Sequence, residues 1–90
     1  MYEALPGGDI IEQGLGDLAR GVWSAPALVV ASFAPRLRAR GIAVPPHRID
    51  EPEHRLYRLL AESNPDSAHG RYNALVRRIV SFARALECAS

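Results

Sequence analysis

The ten residues from Ala25 to Ala34, APALVVASFA, carry a single polar side chain, the hydroxyl of Ser32. Wound as a helix, this segment presents apolar side chains on every side, whereas a surface helix is apolar on one face only. Such a helix is either central to a bundle or covered by another chain. The mostly apolar run over residues 22–34 is also shorter than the roughly 20 residues that span a bilayer. We therefore expect no membrane span, and we expect this segment to lie at the centre of the fold or to be covered by a partner.

The residues that precede this segment are typical of a helix start. Ser24 is a favoured N-cap residue, and Pro26 falls in the first turn, where its missing N–H does no harm. Trp23 and Leu28 occupy the two positions of a hydrophobic staple, in which side chains on either side of the cap pack together. We therefore expect a packing role for the only tryptophan, in preference to a ligand-stacking role.

The second helix is predicted over about residues 25–40, with a kink or break at Pro35 and an end at Gly41. Its last turn contains three arginines at a spacing of two: Arg36, Arg38 and Arg40. Cations in a last turn complement the negative end of the helix dipole. Phosphate binding is the alternative, although a spacing of two scatters the side chains around the helix.

Three other helices are predicted, over about residues 9–20, 51–62 and 65–87. Asp9 and Asp50 each precede a glutamate by three residues, which is the spacing of a capping box. Asn64 followed by Pro65 is a favourable start for the last helix, the longest in the chain.

The predicted fold class is all-α. With short connections and no sustained strand-like alternation, we expect one domain over residues 1–90. It is a compact four-helix bundle with a long C-terminal helix and a proline-kinked second helix. Gly14 and Gly16 each weaken the first helix by about 1 kcal/mol relative to alanine, unless a neighbouring element packs closely there.

Two stripes run along the last predicted helix when its residues are placed at about 100° per residue. The first is an apolar seam: Ala68, Tyr72, Leu75, Ile79, Phe82 and Leu86. Because both of its aromatic residues lie in the seam, we expect them in the core and not on a base-stacking surface. The second stripe consists of small residues beside two arginines: Gly70, Arg71, Ala74, Arg78, Ser81 and Ala85.

The small-residue stripe is the predicted partner interface. Small side chains allow close approach of a second helix, from a protein partner or from a second copy of the chain. The alternative is that these residues simply face water, because alanine is common in this chain and a good helix former. The predicted function is accordingly a small, non-catalytic helical module for protein–protein interaction. It would bind a protein partner or a second copy of the chain through the apolar second helix and the small-residue side of the last helix.

Nucleic-acid binding is the alternative function, through Arg71, Arg77, Arg78 and Arg84. All 11 basic residues of the chain are arginine, for which there are two explanations: phosphate recognition, or codon bias of the kind found in GC-rich genomes. The net charge of +1 and the acidic helices beside the basic one argue against nucleic acid as a partner.

No constellation of residues points to catalysis, so no enzymatic activity, cofactor or small-molecule substrate is expected. The three histidines lack the spacing that lets two imidazoles bind a metal from one helix face. Arg48 and His54 are separated by five residues, which suggests a nuclease or hydrolase site as a third hypothesis. The single cysteine, Cys88, allows no disulfide within the chain, and no signal peptide is evident, so we expect a cytoplasmic protein.

Overall fold

The computed structural model describes residue 2 and residues 4–89, and in this part of the chain the secondary structure is entirely helical. Five helices follow one another: α1 (Gly8–Ala19), α2 (Ala25–Ser32), α3 (Ala34–Ala39), α4 (Pro52–Ser63) and α5 (Ala68–Ala89). The prediction of an all-α fold is confirmed.

The second predicted helix is two helices, which corrects the expected number from four to five in the described residues. Phe33, with φ −105° and ψ 9°, ends α2 and begins α3, and its N–H donates to the carbonyl of Val30 at 3.1 Å. Pro35 then lies in the first turn of α3, where no N–H is needed. The break caused by the proline therefore falls two residues before it.

The apolar α2 lies at the centre of the fold, where it packs against α1, α4 and α5. Its residues from Ala27 to Ala31 are all buried. Burial of each leucine or valine side chain contributes about 1.5–3 kcal/mol to folding. The chain's own elements cover this helix, so these side chains are not exposed at the surface.

Gly14 allows α1 to approach α2 closely. A Cβ atom at this position would lie 2.5 Å from Cγ2 of Val30 and 2.6 Å from the carbonyl oxygen of Pro26. Neither distance is tolerated by a real side chain. Gly16 has no such neighbour, because a Cβ atom there would meet only the end of the Arg20 side chain, at 3.5 Å.

A polar network joins the end of α1 to the start of α2. The hydroxyl of Ser24 accepts the N–H of Ala27 at 3.3 Å, which confirms the predicted N-cap. The same hydroxyl donates to the buried carboxylate of Asp17 at 2.5 Å. Arg20 pairs with the other oxygen of that carboxylate. The only buried charged side chain among the described residues is therefore both hydrogen-bonded and ion-paired.

The two predicted capping boxes are wrong. The N-cap of α1 is Gly7, in the left-handed conformation at φ 73°, and Asp9 is an exposed residue of the first turn. The N-cap of α4 is Glu51, also left-handed at φ 48°, and no side chain caps either helix. In α1 the left-handed glycine packs against the backbone of Arg78 in α5, so tertiary contact overrides the local capping preference.

The start of the last helix is three residues later than predicted. Residues 65–67 form a turn, in which Asn64 Oδ1 accepts the N–H of Asp66 at 3.1 Å. The carbonyl of Ser67 then accepts the N–H of Arg71, and α5 continues to residue 89.

The apolar seam of α5 packs into the core as predicted. Ala68, Ile79 and Phe82 are fully buried, whereas Tyr72 and two further seam residues are partly buried against the same cluster. The ring of Tyr2 meets that of Phe82 edge-on, at 5.6 Å between centroids. Tyr2 is thus in contact with the last helix.

Ion pairs connect α3 to the end of α5. Both Nε and Nη2 of Arg36 donate to the Glu87 carboxylate, at 3.1 and 3.0 Å, and Arg40 lies 3.6 Å from it. Arg38 instead donates to the carbonyl of Val44 in the loop that follows α3. All three arginines of the predicted cluster therefore contact other parts of the chain through their guanidinium groups.

The glycines of α1 provide a matched test of the close helix contact. Gly14→Ala should destabilise the protein by about 1–3 kcal/mol, because the new methyl group overpacks against Val30. Gly16→Ala should stabilise it by about 0.5–1 kcal/mol, because alanine is the better helix former. Urea unfolding measures both, and equal effects of the same sign would contradict the close approach.

The ion pair at Glu87 predicts a pH-dependent stability. The hydrogen bond from Arg36 lowers the pKa of Glu87 below its ordinary value of 4.5. The pair therefore stabilises the fold fully above the unfolded-state pKa, and this contribution is lost as the pH falls through the lowered folded-state pKa. Glu87→Gln should slightly lower the Tm at neutral pH and have little effect near about pH 2.

Glu62→Gln is the control for this test, because Glu62 is exposed and forms no ion pair among the described residues. Its Tm should follow that of the parent protein at both pH values. Equal destabilisation by Glu87→Gln at both pH values would show that the effect is not electrostatic.

Candidate functional site

The predicted partner interface lies on the outward side of α5. Gly70, Arg71, Ala74, Arg78 and Ser81 are exposed. The sixth residue of the set, Ala85, is half-buried. Since the apolar seam faces the core, this side of the helix is the part of α5 that the chain leaves uncovered.

The angular positions on α5 place arginines on both sides of the small residues. At about 100° per residue, Gly70, Ala74, Ser81 and Ala85 occupy a sector of about 60°. Arg71 and Arg78 border this sector on one side, and Arg77 and Arg84 border it on the other. We call this surface the arginine trough. At 1.5 Å per residue its floor is about 22 Å long.

Most of the positive charge of the arginine trough is uncompensated within the chain. Arg78 pairs with Asp9 of α1 at 2.5 Å, but both side chains are at least half exposed, and such a surface pair is weak. Among the described residues, Arg71, Arg77 and Arg84 form no ion pair. The trough is thus a narrow strip of small residues between two rows of exposed arginines.

The structure also contains a groove beside Trp23, on one side of α4. It encloses about 190 Å³ and is lined by Trp23, Leu28, Arg55, Arg58, Leu59 and Glu62. The Arg55 guanidinium lies 5.1 Å from the centre of the indole ring, within cation–π range. Trp23 and Leu28, the two residues of the predicted hydrophobic staple, line the same groove, and Trp23 is 45% exposed.

A second groove lies between α4 and α5, and we call it the tyrosine groove. It encloses about 360 Å³ and is lined by Glu53, His54, Tyr57, His69, Tyr72 and Asn73. The Tyr57 ring is central: its centroid lies 5.7 Å from that of Tyr72 and 6.4 Å from that of His69. Both neighbouring rings are inclined to it by about 60°.

Neither groove was predicted, although part of the signal for the tyrosine groove is present in the sequence. Leu56 and Leu60 are four residues apart and form the buried face of α4. Tyr57 lies about 100° away from Leu56 on the helix, and it is 40% exposed. A helical wheel could therefore indicate an exposed tyrosine, but only the tertiary structure brings His69 and Tyr72 to it.

The residues considered for catalysis and metal binding are brought together only in part. His54 and His69 both line the tyrosine groove, whereas Arg48 is not among its lining residues. The two ring nitrogens of His47 are buried without a hydrogen-bond partner. In the described part of the chain, no three histidine, cysteine, aspartate or glutamate side chains are grouped so that they could hold a metal ion.

Comparison with family models, curated proteins and solved structures yields no match to this chain. Over the residues that the structure describes, none of the helices combines the length and the apolar character needed to cross a bilayer.

Proposed function

We propose that this chain is a non-catalytic helical interaction module that binds an acidic helical segment of another protein along the arginine trough. The observation that carries the proposal is the exposed small-residue floor of α5 with arginines on both borders. The apolar seam that packs into the core lies on a different side of the same helix.

The floor of the trough suits a second helix. Helices pack at interaxial distances of about 8–10 Å, and the smaller side chains at a contact allow the shorter distances. A floor of about 22 Å accommodates roughly four turns of a partner helix. Glycine, alanine and serine also lose little side-chain entropy when they are covered.

The charges favour an acidic partner over a second copy of the chain. If α5 packed on α5 of another copy, the bordering arginines of both chains would approach one another, and like charges oppose such an interface. Aspartate or glutamate side chains on both sides of a partner helix would instead pair with the two arginine rows. The three arginines without an ion pair, Arg71, Arg77 and Arg84, are available for this.

Nucleic-acid binding is the second candidate function, because the same uncompensated arginines could contact phosphates. The two arginine rows lie roughly 120° apart around the helix, so both cannot face one duplex backbone at once. The chain as a whole also carries a net charge of only +1. These features support a protein partner over a nucleic acid.

The proposal predicts binding of an acidic helical peptide. The probe is a synthetic helix of about 20 residues with alanine along one face and glutamate on both flanks. Arg71→Glu combined with Arg84→Glu should reduce its affinity at least about tenfold, because each border then repels the peptide. Isothermal calorimetry at low salt measures this, with the corresponding lysine peptide as a control that should not bind.

Two further variants separate the trough from general charge effects. Ala74→Trp should block the floor and prevent binding while leaving the fold intact, because Ala74 is exposed. Arg48→Glu changes the net charge by the same amount as an arginine-to-glutamate substitution at one trough position. Arg48 lies in an exposed loop outside α5, so this variant should retain most of the binding. Equal losses from Arg48→Glu and from a single trough arginine would contradict a defined site.

The alternative partners give distinct results. Light scattering that shows a dimer, abolished by Ala74→Trp, would replace the acidic partner by a second copy of the chain. Tighter binding of an oligonucleotide than of the acidic peptide, weakening steeply as salt rises, would favour the nucleic-acid function.

A further inference from the structure

The tyrosine groove between α4 and α5 has a different chemistry from the rest of the surface. None of the 11 arginines of the chain lines it. Its one charged carboxylate is that of Glu53, and its walls include the rings of Tyr57, His69 and Tyr72. The groove shares no residue with the arginine trough, so its role is independent of the function proposed above.

The three rings form an angled aromatic surface. The Tyr57 ring contacts its two neighbours at centroid distances of 5.7 and 6.4 Å, each with an interplanar angle of about 60°. The faces of rings inclined in this way point in different directions. The face of an aromatic ring is the negative part of its quadrupole and attracts cations.

A hydrogen bond holds one of these rings in place. The side-chain amide of Asn73 lies 3.1 Å from Nε2 of His69, one helical turn away. This contact fixes the orientation of the imidazole, which forms a third aromatic wall of the groove.

We infer that the tyrosine groove binds a trimethylammonium group. Aromatic faces beside a carboxylate recognise quaternary ammonium ions, whose methyl groups contact the rings while the charge is shared between the rings and the acid. A bare ammonium ion is strongly hydrated and loses more on entering an apolar groove. Choline-like molecules and trimethylated lysine side chains both carry the required group.

The groove has room for such a ligand. Its volume of about 360 Å³ lies at the lower end of the range for small-molecule sites and exceeds what one trimethylammonium group requires. Because the groove is open to solvent and Tyr57 is 40% exposed, the contribution of each ring is that of an exposed cation–π contact. We therefore expect a dissociation constant on the order of 10 mM for the isolated group.

The primary test is an NMR titration of the isotopically labelled chain with tetramethylammonium chloride. Saturable shifts of the ring resonances of Tyr57, His69 and Tyr72 are expected. Ammonium chloride at the same ionic strength is the control and should leave these resonances in place. Equal responses to the two salts, or shifts that never saturate, would overturn the inference.

Variants at Tyr57 separate the aromatic contribution from the shape of the groove. Tyr57→Phe retains the ring and should bind within about twofold of the parent protein. Tyr57→Leu retains an apolar side chain without a π face and should bind about two- to fivefold more weakly. Trp23→Leu is the matched control outside this groove and should have no effect. Equal binding by the Phe and Leu variants at Tyr57 would contradict a cation–π site.

Removal of the carboxylate is an independent test. Glu53→Gln should weaken tetramethylammonium binding a few-fold without unfolding the protein, because Glu53 is exposed. Unchanged affinity would exclude the proposed role of its charge.

Choline and N-acetyl-trimethyllysine amide then distinguish the natural sources of the group. Preference for choline would identify a small-molecule or lipid-headgroup site, and preference for the lysine derivative would identify a methylated protein segment. Both results support recognition of the trimethylammonium group, whereas failure of both ligands and of tetramethylammonium would end the proposal.

Discussion

The fold depends on the close approach of α1 to α2 at Gly14. Because Gly14 has no side chain, the backbone carbonyl of Pro26 and a methyl group of Val30 occupy the space that a Cβ atom at this position would require. This contact covers one side of the apolar α2, and α4 and α5 cover the others. The local cost of a glycine within a helix, about 1 kcal/mol, is offset by burial of leucine and valine side chains, each worth more than that.

Because α1, α4 and α5 surround α2, each of them has one buried face and one exposed face. Because α4 and α5 each turn one apolar face to α2 and to each other, their remaining faces are free to carry polar and charged residues. On α5 the free face is the arginine trough, with its small-residue floor. At the junction of α4 and α5, side chains that lie beside the buried faces form the tyrosine groove, whose aromatic rings are neither fully buried nor fully exposed.

The two proposed sites therefore have opposite electrostatic character on one small protein. The trough presents arginines without ion pairs and suits an acidic segment, whereas the tyrosine groove contains no arginine and one carboxylate and suits a cation. Protein interaction along the trough and recognition of a methylated ammonium group in the groove are compatible, since the sites share no residue.

The sequence by itself determined the all-helical class, the Ser24 cap, the break near Pro35 and the buried seam of α5, because these follow from local propensity and from helical periodicity. It did not determine the N-caps of α1 and α4. The local capping rule selects the nearby aspartates, whereas the structure has Gly7 and Glu51 there, both in the left-handed conformation. The small-residue stripe and its arginines could also be read from the spacing along one helix. The tyrosine groove could not, because Tyr57 lies on α4, whereas His69 and Tyr72 lie on α5, and only the packing of the two helices sets the distances and angles between their rings.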